Sequence, residues 1–207
     1  MKLLNRKSKK TIVISAIAAC SLFAGSMGAG AESSAAASKT GQAQLYASSV
    51  KATATVSKKG VMSFPKRFSK KNVINELKPE AVNLIKTYAS TLQTGSTKSF
   101  NAYVDKHMMN STSKIFVGGR EATKKSYKTR VSTTKKYNSK ERVSSFSKGL
   151  KKATASKLKV EQKYIKDYSA QITYEYKPAG SYISAKVAFT FILQSNGKYI
   201  ISAINFY

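Results

Sequence analysis

This 207-residue chain is short of the groups on which most enzymes and metalloproteins depend. It has one cysteine, one histidine, no tryptophan, and 9 acidic residues against 37 lysines and arginines. A single thiol and a single imidazole exclude zinc clusters, a disulfide framework and most histidine-based catalytic centres. The scarcity of acid leaves a formal charge of +28. That excludes a neutral cytosolic enzyme surface and predicts an anionic partner or environment. What the chain does have is 42% hydrophobic residues, with 12 Tyr and 9 Phe. It can therefore bury a core and is not a wholly disordered polycation. Its length allows one domain with a tail.

Residues 1–31 have the pattern of a secretory signal peptide. Lys2, Arg6, Lys7, Lys9 and Lys10 precede an apolar or small-residue run from Thr11 to Gly25, and Ala29-Gly30-Ala31 stands just before Glu32. Basic start, apolar middle and A-x-A site occur in the order that directs export. The apolar run, about 15 residues, is short of the ~20 that span a bilayer. The long basic start is similar to that of proteins exported by Gram-positive bacteria. Ile17-Ala18-Ala19-Cys20 resembles a lipobox, which implies a lipoprotein anchored through Cys20. The apolar run continues past it through Leu22, Phe23 and Ala24, which favours cleavage after Ala31. Five of the 37 cations precede that cleavage site, so the mature chain keeps 32 basic residues against 9 acidic ones and no thiol. The expected location is secreted or envelope-associated.

Residues 32–75 are rich in Ala, Ser, Thr and Lys with few large apolar groups, and read as a basic, mostly disordered arm. Leu45 to Val56 alternates weakly, as a short strand would, and Val61, Phe64 and Phe68 are candidates to dock on the domain C-terminal to them. Residues 76–207 read as an α+β domain, with N-terminal helices packed on a curved C-terminal antiparallel sheet. Pro79-Glu80 suits a helix first turn. Val82, Leu84, Ile85, Tyr88, Ala89 and Leu92 come after it at helical spacing, with Gly95 as the stop. Ser96 or Thr97 can cap a second helix carrying Phe100, Tyr103 and Val104. Gly118-Gly119 breaks the chain again. Residues 120–156 have weak periodicity, apart from a helix suggested by Ser139-Lys140-Glu141 ahead of Val143, Phe146 and Leu150.

From Lys157 the period changes to two. Leu158 to Tyr164, Tyr168 to Lys177 and Ile183 to Leu193 alternate as half-buried strands. Pro178-Ala179-Gly180 forms a turn, and Asn196-Gly197 predicts a type I′ hairpin. Tyr199 to Phe206, apolar on both sides, reads as a covered interior strand.

Helices followed by a terminal meander, closing on the stretch from Val187 to Ile204 with Asn196-Gly197-Lys198-Tyr199 at its turn, resemble the nuclear-transport-factor-2-like superfamily. Tyr199 stands where small secreted members carry a tryptophan. The resemblance covers about residues 76–207 and implies a cone-shaped domain, a pocket, and a homodimer formed through the sheet. Tyr88, Tyr103, His107, Phe189 and Phe191 are the candidate pocket residues. Family enzymes place a carboxylate base and hydrogen-bond donors in the cavity. No motif here carries such a set, so no catalytic residue, cofactor or metal ligand is assigned.

The remaining chemistry-bearing residues are each weighed against an ordinary role. Asp105 lies two residues from His107, and positions two apart on a helix do not face each other. His107 reads as a helix-end residue favoured by the negative end of the dipole. Glu161, Asp167 and Glu175 read as salt-bridge partners, with Glu161 and Glu175 candidates to oppose each other across the sheet. Tyr164, Tyr168, Tyr174, Tyr176, Tyr182 and Tyr199 interleave with lysines. They read as strand-filling aromatics, or else as a stacking surface for nucleic acid.

The basic density stands out. From Lys114 to Lys159 there are 15 cations and two acids, Glu121 and Glu141. Lys124, Lys125, Lys128, Arg130, Lys135, Lys136, Lys140, Lys151 and Lys152 form its centre. Unbalanced charge of this size repels itself and must be tolerated or used. The sequence therefore points to a non-catalytic envelope protein held to anionic wall polymers or lipid headgroups, each lysine near an anionic membrane contributing about 1 kcal/mol. Extracellular nucleic-acid binding and a pocket enzyme of the same fold are the alternatives. Scarce arginine argues against specific guanine readout.

Overall fold

The computed structural model describes residues 56–110 and 119–207. The expected signal peptide, Cys20, most of the arm, Lys114 and Gly118 lie outside the described residues. Among the described residues ten elements succeed one another: β1 (Ser63–Pro65), α1 (Lys70–Thr94), α2 (Lys98–His107), α3 (Arg120–Lys136), α4 (Lys140–Leu150), a 3-10 turn (Ala155–Lys157), β2 (Lys159–Ile165), β3 (Ser169–Tyr176), β4 (Ala185–Leu193) and β5 (Lys198–Phe206). The class is α+β: four helices pack on one curled antiparallel sheet.

The sheet order is β1-β5-β4-β3-β2, so the C-terminal meander is extended at one edge by the short N-terminal strand. Register is set where Ile172 faces Phe189, Tyr174 faces Val187, and Phe189 faces Ile204. Bulges between Val160 and Gln162 and between Thr190 and Phe191 interrupt the ladders, and such insertions bend a strand and tighten its twist. One face of β3, β4 and β5 buries Ile172, Tyr174, Val187, Phe189, Phe191, Ile201 and Ile204 against the helices.

Several expectations are corrected. Ordered structure starts well before residue 75. Phe64 packs on Phe68, Phe191 and Tyr199 at 4.7–5.0 Å. Val56 N–H donates to the Glu76 carboxylate. The docking of Phe64 and Phe68 is thus what draws this segment into the body. Helix α1 begins at Lys70, where the Ser69 hydroxyl accepts from Asn72 N–H at 3.4 Å, and Pro79 lies inside it rather than at its first turn. A proline there leaves the Asn75 carbonyl without its usual donor. In the same turn, Tyr174 Oη donates to the Ile74 carbonyl at 2.6 Å, tying the weakened stretch to β3. Gly95 ends α1 as expected, with φ 78° and its N–H on the Thr91 carbonyl.

The β4–β5 hairpin forms, but not with the type I′ pair. Gly197 N–H donates to the Gln194 carbonyl and Gln194 N–H to the Lys198 carbonyl, giving a three-residue loop with Gly197 at φ 73°. Gly197 supplies the left-handed position that such loops require. Strand β5 is interior by pairing, yet its residues alternate: Tyr199, Ile201, Ile204 and Phe206 are buried while Ile200 and Ala203 are only half-buried. Glu161 and Glu175 do not oppose each other. Glu175 faces Lys159, and Glu161 forms its ion pair with Lys186.

The middle of the chain holds the largest difference, helix α3. Its buried stripe is Thr123, Tyr127, Val131 and Thr134, too polar to register as an apolar periodicity. Buried hydroxyls pair along it: Tyr127 Oη donates to Thr91 Oγ1 at 2.9 Å, and the Tyr88 and Thr134 hydroxyls are 2.7 Å apart. Tyr127 also stacks on Phe100 at 3.7 Å and meets the Phe206 ring at 5.3 Å. Helix α4 begins where expected, with the Ser139 hydroxyl accepting from Arg142 N–H at 3.3 Å.

Candidate functional site

Because α3 turns Thr123, Tyr127, Val131 and Thr134 inward, its opposite stripe must face water. Lys125, Lys128, Ser132 and Lys136 recur there three or four residues apart, the spacing that stacks side chains on one helical face. Lys125, Lys128 and Lys136 are exposed. Together with Thr129, Ser132, Thr133 and Tyr137 they line a shallow depression along the helix. Lys124 stands on the flank, 2.8 Å from Asp105 and 2.9 Å from Glu121. The hydrogen bonds to those carboxylates raise its pKa. Among the described residues it is the one cation of the nine with an ion-pair partner.

The other cations divide by task. Helix α1 has no basic residue in its last turn. Lys135, Lys140 and Lys151 gather there instead, from α3 and the two ends of α4. Lys135 and Lys140 line a groove with Leu92, Gln93 and Val143, and Lys151 Nζ donates to Gln93 Oε1 at 2.6 Å. A cation near the C-terminal end of a helix favours it, as Lys135 does beside Gly95, and Lys151 ties the end of α4 to α1, so these two also serve the fold. Arg130 is half-buried on the other flank of α3, near the Tyr88 hydroxyl, and its Nε is buried without a hydrogen-bond partner. Lys152 is exposed just beyond α4. The nine therefore form two neighbouring groups that meet at Lys135 and Lys136, with Arg130 and Lys152 apart.

A cleft of ≈ 480 Å³ opens on the far flank of α4, between that helix and the segment joining β3 to β4. Phe146, Pro178 and Ile183 supply its apolar wall, and Asn138, Arg142 and Ser181 its polar one. Gly149 lets the two sides approach closely. The cleft was not legible in the sequence, because its walls are about 30 residues apart in the chain and periodicity reads only local order. The nearest signal is Gly149 in the last turn of α4, a residue that weakens a helix unless something needs the space.

The residues expected to line a pocket lie elsewhere. Tyr88, Phe189 and Phe191 are buried in the core, and none of the five lines the cavities beside α1, α3 and α4. Tyr103 is half-buried, donating to Glu80 Oε2 at 2.9 Å; burial, then that carboxylate, pushes its phenol far up. His107 ends α2 as expected, but its charge is not favoured. Its Nδ1 lies 3.1 Å from the Gly60 carbonyl, its ring packs on Tyr103, and burial lowers its pKa against the effect of that carbonyl. Asp105 is exposed and turned to Lys124. Of the six interleaved tyrosines, Tyr174, Tyr176 and Tyr199 are buried, whereas Tyr164, Tyr168 and Tyr182 are exposed.

Among the described residues no three His, Cys, Asp or Glu side chains gather as metal ligands would, and no helix is long and apolar enough to cross a membrane. No known protein family, characterised protein or solved structure matches the chain.

Proposed function

We propose that this is an exported, non-catalytic binding protein of the cell envelope, held by its basic helices to anionic wall or membrane polymers. The observation that carries the reading is the outward stripe of α3. Lys125, Lys128 and Lys136 share one face with hydroxyl side chains and, among the described residues, with no paired carboxylate. Lysine is a strongly hydrated point charge on a flexible stem, suited to a polymer whose phosphates present no fixed geometry. The resemblance to the nuclear-transport-factor-2-like cone belongs to this proposal, as does dimerisation through the sheet. Helices laid on a curled antiparallel meander are consistent with it.

A second reading, extracellular nucleic-acid binding, has one observation in its favour. At the β2–β3 turn Lys166 Nζ lies 5.2 Å from the Tyr164 ring centroid, beside the exposed Tyr168. Aromatic faces next to cations suit stacked bases. Binding to immobilised polyphosphate and to single-stranded DNA, each over a salt series, separates the two. The envelope reading expects retention of the protein by polyphosphate and by isolated envelopes, with release by salt. Retention by DNA alone would replace it with the second.

A further inference from the structure

We infer that the end of the molecule bearing the α4 cleft docks on an anionic lipid bilayer, with Tyr182 and Ile183 entering the interface. This rests on the envelope reading and chooses a lipid surface over a wall polymer for this end of the protein. Among the described residues six large hydrophobic side chains are markedly exposed. Two of them, Tyr182 at 100% and Ile183 at 42%, adjoin each other on the loop that closes the cleft. A third, Tyr137 at 73%, immediately precedes Asn138 on the cleft's other wall. Cations lie beside them: Arg142 within the cleft, Lys136 with its Nζ 5.5 Å from the Tyr137 ring, and the exposed Lys177 directly before Pro178 of the cleft wall.

A soluble polyphosphate offers nothing apolar for an exposed Tyr–Ile pair to contact. A bilayer interface does. Tyrosine settles at headgroup level with its hydroxyl wet, and aliphatic neighbours bury against acyl chains. Flanking cations add attraction to anionic lipid, and the Arg142 guanidinium matches a phosphate diester in a planar, two-point contact. The opposite end of β3 supplies an internal control. Tyr168, 64% exposed, stands there beside Lys166, separated from the cleft by the eight residues of β3.

The chain has no tryptophan, so single Tyr182→Trp and Tyr168→Trp variants each carry one reporter. Both are mixed with phosphatidylglycerol–phosphatidylcholine vesicles, with brominated acyl chains as quencher. The expected result is a blue shift and quenching for Tyr182→Trp and little of either for Tyr168→Trp. The paired Tyr182→Ala, Ile183→Ser variant should lose vesicle affinity about tenfold while its polyphosphate affinity stays within about twofold, since both side chains are exposed and uncharged. An equal or larger shift at Tyr168→Trp overturns the inference. So does vesicle or polyphosphate binding with no shift at Tyr182→Trp, an outcome that leaves the envelope reading in place. Failure to bind both vesicles and polyphosphate removes the two together.

Discussion

A methyl group at Gly149 would sit 2.6 Å from the Cβ of Pro178. The helix and the loop that face each other across the cleft therefore meet at a point where only hydrogen fits. The Tyr176 hydroxyl, 3.5 Å from the Gly149 carbonyl, marks the same contact. Gly149→Ala should thus destabilise the fold by about 1–3 kcal/mol through overpacking. Alanine within a helix ordinarily stabilises over glycine, by up to about 1 kcal/mol, and Gly149 lies in the last turn of α4 at an ordinary helical backbone, so the sign is diagnostic. Urea unfolding of the two proteins measures it, and a gain in stability would show that the contact is not tight.

Two helix starts should respond differently to the loss of a hydroxyl. Ser139 caps α4 through Arg142 N–H, whereas Thr97 precedes α2 without a capping hydrogen bond from its side chain. Ser139→Ala is expected to cost about 1 kcal/mol and Thr97→Ala distinctly less. Thermal unfolding of the two variants side by side makes the comparison.

Stability should fall at both ends of the pH scale. Burial raises the phenol pKa of Tyr88, Tyr103, Tyr127 and Tyr174. A phenol held neutral in the fold contributes stability that is intact below the unfolded value of about 10 and is lost as pH climbs above it. His107 acts in the opposite direction. Its folded pKa is lowered, chiefly by burial, so the unfolded chain takes up a proton the fold resists. Its contribution is present above about pH 6.5 and declines as pH falls below it. His107→Gln should flatten the slope between neutral and mildly acid pH, and pH-dependent unfolding midpoints would reveal an unchanged slope if His107 played no part.

Much of the meander was readable because β3 and β4 each turn one large-apolar face to the helices, so a period of two appears directly in Ile172, Tyr174 and Tyr176 or in Val187, Phe189 and Phe191. Helix α3 was not, because its inward stripe contains Thr123 and Thr134, and the hydroxyls that pair with Tyr127 and Thr134 belong to Thr91 and Tyr88, far away in the chain. The N-terminal boundary was placed too late for a similar reason. Phe64 and Phe68 are two aromatics in a largely polar stretch, and the further partners Phe191 and Tyr199, remote in the chain, make Phe64 core. The same limit applies to the site. Cation density was plain in the sequence, but its division between an outward stripe and the three lysines at the end of α1 depends on how α3 and α4 lie against α1.

That division makes the outward stripe the decisive place to test the function. Lys125, Lys128 and Lys136 are replaced together by glutamine, and polyphosphate affinity is followed over a salt series. A matched variant loses Lys66, Lys70 and Lys71, which are exposed at the start of α1 and just before it. If the α3 face is the contact surface, the first variant should lower the slope of log affinity against log salt by about two to three charges, and the matched variant should leave it nearly unchanged. Equal losses in the two would mean that charge alone, and no particular face, holds the polymer.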